Sequence, residues 1–172
     1  STPSIAVGDF NNDNYTDLII AGNDADNAAV TNVYINNGSS FVQNSSWEQN
    51  ISKMQSVSFV LGDIDSDGKI DIIMTGANNT DPTNKNPVVY INNGTSFIRD
   101  YVWDLNLSSI YGGDVLLADI DNNNYLDLFI IGNNDDLSLD AQVYMNNGTN
   151  LVHNITYTEG IRSAYSQFTS SA

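Results

Sequence analysis

The stretch Leu61-Gly62-Asp63-Ile64-Asp65-Ser66-Asp67-Gly68-Lys69-Ile70-Asp71-Ile72-Ile73-Met74-Thr75-Gly76 decides how the chain is read. Asp63, Asp65 and Asp67 stand at alternate positions, and Asp71 follows just before an apolar run. Alternate carboxylates on a tight loop converge on one centre and repel one another unless a cation lies between them. Hard oxygen donors select Ca²⁺. Counting from Asp63 as place one, Gly68 at place six permits a sharp left-handed turn. The backbone carbonyl of Lys69 at place seven adds a further ligand.

The pattern recurs on both sides. Earlier in the chain the same places hold Asp9, Asn11, Asp13, the Tyr15 carbonyl and Asp17, with Asn14 at the turn. Later they hold Asp119, Asp121, Asn123, the Tyr125 carbonyl and Asp127, with Asn124 at the turn. Asn tolerates left-handed backbone better than other residues with a side chain, so it replaces Gly acceptably. An EF-hand opens in the same way but needs a bidentate Glu at place twelve and flanking helices. Place twelve is Ile20, Met74 and Ile130, each in an apolar run, so an EF-hand is excluded. The expectation is up to three Ca²⁺ sites. The second loop, with four acids and Gly, should bind tightest, and the third, with Asn123 at place five, weakest.

A second landmark follows each loop: Val33-Tyr34-Ile35-Asn36-Asn37-Gly38, Val89-Tyr90-Ile91-Asn92-Asn93-Gly94 and Val143-Tyr144-Met145-Asn146-Asn147-Gly148. The acidic loops are spaced 54 and 56 residues apart and the second landmarks 56 and 54. Two landmarks that keep one spacing define a structural repeat. Each unit reads as four short strands, in the first unit Ser4 to Val7, Asp17 to Ala21, Val30 to Ile35 and Ser40 to Gln43. Asn-Gly between apolar runs predicts a type I′ hairpin. No stretch sustains a capped 3.6-residue period, so helix should be nearly absent.

Four antiparallel strands repeated in this way are the arithmetic of a β-propeller blade. The fold class is therefore all-β, with three repeats spanning about 1–50, 51–106 and 107–160. A β-sandwich of a dozen strands is the alternative, but it has no reason to repeat at this spacing. Roughly four to eight blades are typical of a closed propeller, so the three here are an incomplete propeller or one completed between molecules. Residues 161–172 read as a terminal strand or a tail. An unpaired terminal strand would augment a neighbour head to tail, giving a ring or filament.

The motif Gly-Asp-x-[Asp/Asn]-x-Asp-Gly-x-x-Asp-[apolar] resembles the FG-GAP or VCBS repeat family, which includes the propeller head of integrin α subunits. The resemblance spans nearly the whole chain. It is tightest for Asp63 to Asp71 and looser in the other loops, where Asn replaces Gly. It implies calcium-stabilised blades in an extracellular or cell-surface adhesion or scaffold protein, and it implies no catalytic site.

Composition narrows the partners. The chain has 172 residues, 21 Asp+Glu against five Lys+Arg, a formal charge of −16 and no Cys. Such a surface repels nucleic acid and offers no basic patch to anionic lipid. No apolar run is long enough for a membrane span, so no membrane insertion is expected. Ten of the acids lie in the three loops, and three Ca²⁺ would take the charge from −16 to −10.

Asn-x-Ser/Thr occurs nine times among 26 Asn, more often than composition alone gives. The acceptors expected for N-glycosylation are Asn37, Asn44, Asn50, Asn78, Asn93, Asn106, Asn147 and Asn154; Asn14 lies inside a metal loop and is the worst placed. Trp47 and Trp103, 56 residues apart, are expected in the core between blades. An enzyme is not expected, since His153 is the single His and no nucleophile–base pair repeats. The leading function is a structural or adhesive calcium-binding module. The alternatives are a glycan- or protein-recognition module and a domain of a secreted enzyme.

Overall fold

The computed structural model describes residues 3–78 and 87–169. Three four-stranded antiparallel sheets follow one another along the chain. The first holds β1 (Ser4–Gly8), β2 (Asp17–Asn23), β3 (Ala29–Asn36) and β4 (Phe41–Gln43) in sequence order. Helix α1 (Ser45–Glu48) leads into β5 (Met54–Gly62), β6 (Asp71–Asn78), β7 (Val88–Asn92) and β8 (Phe97–Arg99). Helix α2 (Tyr101–Asp104) leads into β9 (Tyr111–Ala118), β10 (Asp127–Asn133), β11 (Leu139–Asn146) and β12 (Leu151–His153), and α3 (Ile155–Thr169) follows. Each sheet is a propeller-type blade, as the repeat predicts.

The core lies between blades. Phe10, Ile19, Val33 and Trp47 of the first blade pack with Ile72, Met74, Tyr90 and Phe97 of the second. Ile64, Ile73, Val89 and Trp103 of the second pack with Val115, Leu128, Ile130 and Tyr144 of the third. Trp47 meets Phe97 edge to face at 5.1 Å, and Phe97 meets Phe10 at 5.2 Å. Each such pair adds about 0.5–1.5 kcal/mol beyond the area it buries. Both Trp residues therefore serve the inter-blade core.

Three expectations are corrected. Helix is present: α1 and α2 occupy equivalent places, capped by the side chains of Asn44 and Asp100. Four-residue helices are too short to show a period. The segment read as a terminal strand or tail from residue 161 belongs to α3 up to Thr169; residues 170–172 lie outside the described residues. The Asn side chain at residue 154 accepts from the N–H groups of Thr156 and Tyr157, which starts the helix. Among the described residues the C-terminal segment therefore offers no strand for self-association. The hairpins are not type I′ either. Gly38, Gly94 and Gly148 have φ of 84°, 87° and 83°, but the preceding Asn residues are not left-handed. Instead the Asn37 side-chain oxygen accepts from the N–H groups of Ser39 and Ser40, and Asn37 N–H donates to the Ser40 carbonyl. A four-residue loop held by an Asx turn replaces the two-residue turn.

Candidate metal centres

Each acidic loop joins the first two strands of its blade. Two residues per loop are left-handed. Place six is Asn14, Gly68 and Asn124, with φ of 69°, 84° and 69°. Place four is Asn12, Ser66 and Asn122, with φ of 56°, 64° and 59°. The turn at place four has no Gly to announce it. Sequence reasoning missed it, although Asn there in two of the loops was a signal.

The two turns aim backbone N–H groups at the side-chain oxygens. The place-one carboxylate accepts from places five and six: Asp63 from Asp67 and Gly68, at 3.0 and 2.9 Å. Asp9 and Asp119 make the same pairs with Asp13 and Asn14 and with Asn123 and Asn124. The place-three oxygen of Asn11, Asp65 or Asp121 accepts from place five. The place-five oxygen of Asp13, Asp67 or Asn123 accepts from the N–H of Tyr15, Lys69 or Tyr125.

Place nine is fully buried. Asp17, Asp71 and Asp127 are each at 0% exposure. Asp71 accepts from Ile64 N–H and Asn92 N–H, both at 2.8 Å. Asp17 bridges Phe10 and Asn36, and Asp127 bridges Ile120 and Asn146, in the same way. The place-nine carboxylate thus ties the start of the loop to the end of the third strand, and an ionised carboxylate oxygen keeps a further lone pair for a cation.

The second and third loops bring together places one, three and nine. Asp63, Asp65 and Asp71 have carboxylate oxygens within 4.8 Å of one another, as do Asp119, Asp121 and Asp127. The first loop has two acids and the amide oxygen of Asn11 at these places, so it forms no carboxylate triad. Place five stands apart. Asp67 is paired with the Lys69 ammonium, Asp13 accepts from the Asn11 amide at 2.9 Å, and the Asn123 amide donates to the Asn146 carbonyl. The seventh-place side chains pack on the hairpins: a Cβ on Gly38 or Gly148 would meet Tyr15 or Tyr125 at 2.8 and 2.7 Å.

Burial opposes ionisation of these acids. Burial pushes the Asp71 carboxyl up to about 7, against the opposing pull of its two backbone hydrogen bonds. Burial likewise raises Asp17. Asp65 is raised by burial and then by the charge of Asp67. A divalent cation removes the penalty by favouring the ionised forms.

In the second and third Asn-Asn-Gly landmarks the first Asn carries a second function that the sequence did not disclose. Buried Asn92 donates to the Phe10 carbonyl at 2.7 Å, and Asn146 to the Ile64 carbonyl at 2.9 Å. Phe10 and Ile64 hold place two of the preceding loop. The first and second acidic loops therefore sit at the joints between blades.

A model of FG-GAP-like repeats matches residues 9–74 and 63–130. A comparison with curated proteins finds no match. Among solved structures the chain is similar to a lectin of Agrocybe aegerita, studied for its specific recognition of non-reducing terminal N-acetylglucosamine. The TM-score is 0.55 at 21% identity, and the match covers 88% of this chain but 38% of the lectin. That likeness concerns the fold. The family match takes in all three acidic loops, and the chain belongs to the FG-GAP-like repeat family.

Proposed function

We propose that the chain is a Ca²⁺-binding, non-enzymatic recognition or adhesion module that works outside the cell. The observation that carries this reading is the convergence of carboxylate oxygens at places one, three and nine in the second and third loops. An all-oxygen, flexible donor set fits Ca²⁺ better than Mg²⁺, which demands near-ideal octahedral geometry, or softer metals. Ion binding would stiffen the loop and, through Asn92 and Asn146, the joint to the next blade.

A glycan is the ligand class to test first, since the structurally similar lectin recognises a terminal sugar. The catalytic alternative has little support: His153 Nε2 lies 3.0 Å from the Thr158 hydroxyl and its ring lies against Tyr144. Among the described residues no helix is long and apolar enough to cross a membrane. For N-glycosylation, exposed Asn37, Asn93 and Asn147 on the hairpins are the preferred acceptors, ahead of exposed Asn50 and Asn106. Asn44 and Asn154, which cap helices, are only half-exposed. The Asn78 triplet runs into residues outside those described.

Calorimetric titration of the chelator-treated chain with Ca²⁺ and Mg²⁺ tests the metal. Two or three Ca²⁺ sites are expected, with weaker Mg²⁺ binding; absence of Ca²⁺ binding at about millimolar concentration overturns the reading. A glycan array read with and without Ca²⁺ then separates recognition from a purely structural role.

A further inference from the structure

The middle blade shows what each face of a blade requires. From Asp71 to Gly76 every residue of β6 is buried, because neighbours cover both of its faces. In β2, Asp17, Ile19 and Ala21 are buried while Leu18 and Ile20 are half-buried. In β10 the alternation inverts: Leu128 and Ile130 are buried while Phe129 and Ile131 are half-buried. The first blade lacks cover on its leading face; on the trailing face of the third, Ala141 and Val143 of β11 are buried beside α3, and cover is lacking over β9 and β10.

The first strands agree. Ile5 and Val7 are 65% and 58% exposed, yet their equivalents are packed: Phe59 and Leu61 against the first blade, Val115 and Leu117 against the second. On the other side Ala6 and Val60 pack toward the following blade, whereas their equivalent Leu116 is 59% exposed. Leu116 lies over a shallow apolar depression with Phe129 and Ile131. After the sheets, Trp47 and Trp103 are 5% and 6% exposed, while Tyr157, three residues beyond its cap like each of them, is 44% exposed. The polar lock stops at the same boundary. Asn36 donates to the Thr16 carbonyl of its own blade, and no preceding place-two carbonyl stands beside it.

We propose that the leading face of the first blade docks on the trailing face of the third blade of a second copy of this chain. One molecule carries both halves of an interface that it already forms twice internally, with equivalent residues. The joint would seat Ile5 and Val7 against Leu116 and Phe129 and bring Asn36 to the Ile120 carbonyl. Such a contact is heterologous, so it closes a ring if the rotation allows and otherwise extends as a filament. The joint rests on apolar packing and does not depend on the metal reading.

Sedimentation of the purified chain, at up to about 100 μM and about 0.15 M salt to screen its charge, tests this with two variants. Val7→Asp disables the leading face and Leu116→Asp the trailing face. The unmodified chain is expected to associate and each variant alone to be monomeric. An equimolar mixture of the two variants should form a one-to-one dimer and nothing larger, because one intact face of each kind remains. If either Asp variant melts lower than the monomer, Val7→Ser and Leu116→Ser replace the pair. A monomeric unmodified chain overturns the proposal and leaves the faces to further repeats. A mixture that stays monomeric, or a variant that associates alone, overturns it too. Ca²⁺ titration of the same samples reads the metal separately.

Discussion

At the scale of the residue, Asp71 and Asp65 separate two uses of a carboxylate. Asp71 is fully buried and satisfies two backbone N–H groups. Asp71→Ala leaves both without a partner, at about 1–3 kcal/mol each, so its urea midpoint in chelator should fall well below that of the parent. Asp65 is partly exposed and stands among like charges. Asp65→Ala should be within about 0.5 kcal/mol of the parent in chelator. Both variants should lose the second-loop Ca²⁺ site in a titration; if Asp65→Ala keeps it, place three is not a ligand. The same acids set a pH dependence. Burial holds Asp71 at about 7 in the folded chain, above its ordinary 3.8, and raises Asp17 and Asp65 in the same direction. The contribution of Asp71 to stability is therefore full below about pH 4 and is lost as pH rises through about 7, and those of Asp17 and Asp65 are lost in the same direction. Asp140 runs the other way: Arg162 lowers it despite its burial, so its contribution is present above its ordinary value of 3.8 and is lost in acid. Urea midpoints in chelator should fall between about pH 5 and about pH 8, and added Ca²⁺ should reverse that slope because protons and the ion compete for the same oxygens. An equal slope with and without Ca²⁺ would place the ion away from these acids. The grouping of places one, three and nine was legible in the sequence because the spacing of the acids announces it. The hydrogen bonds that shape the loop, and the turn at Asn12, Ser66 and Asn122, were not, because they depend on backbone angles that carry no Gly signal.

At the scale of the element, the strands follow from alternation and the helices do not. β1 to β4 coincide with the predicted runs to within a residue or two, because alternating burial and Asn-rich turns reinforce one another. The helices α1 and α2 are short corners set by caps. For α3 the signal was present: Tyr157, Ile161, Tyr165 and Phe168 fall at helical spacing, but Gly160 inside the run obscured it. The hairpins were placed correctly and typed wrongly, because Asn37 closes the loop with its side chain rather than with left-handed backbone. Their Gly is required twice over at Gly148, by a φ of 83° and by Tyr125, which a Cβ would meet at 2.7 Å. Gly148→Ala should destabilise the chain by about 1–3 kcal/mol, measured by urea denaturation. Gly94→Ala, where only the flexible Lys69 chain lies near, should cost less. Equal losses at the two positions would mean that the Tyr125 contact adds nothing.

At the scale of the whole molecule, net charge and metal sites make different demands. A formal charge of −16 on 172 residues destabilises the compact state through self-repulsion. Any salt relieves that term by screening, so a stabilising effect of CaCl₂ alone proves nothing about sites. Screening depends on ionic strength, whereas site binding saturates with the affinity of each loop and stabilises by RT ln(1 + [L]/Kd). At about a hundredfold excess over Kd, one site is worth about 2.7 kcal/mol. Melting curves at constant ionic strength, set with NaCl while Ca²⁺ replaces part of it, should therefore rise with Ca²⁺ and level off. MgCl₂ in the same exchange should raise them less. A variant carrying Asp65→Ala and Asp121→Ala removes a triad member from each of the two complete triads. It should keep its response to NaCl and lose most of its response to Ca²⁺. If parent and variant gain equally from Ca²⁺ at fixed ionic strength, the acidic loops are turns held by their own hydrogen bonds, and the charge is simply surface.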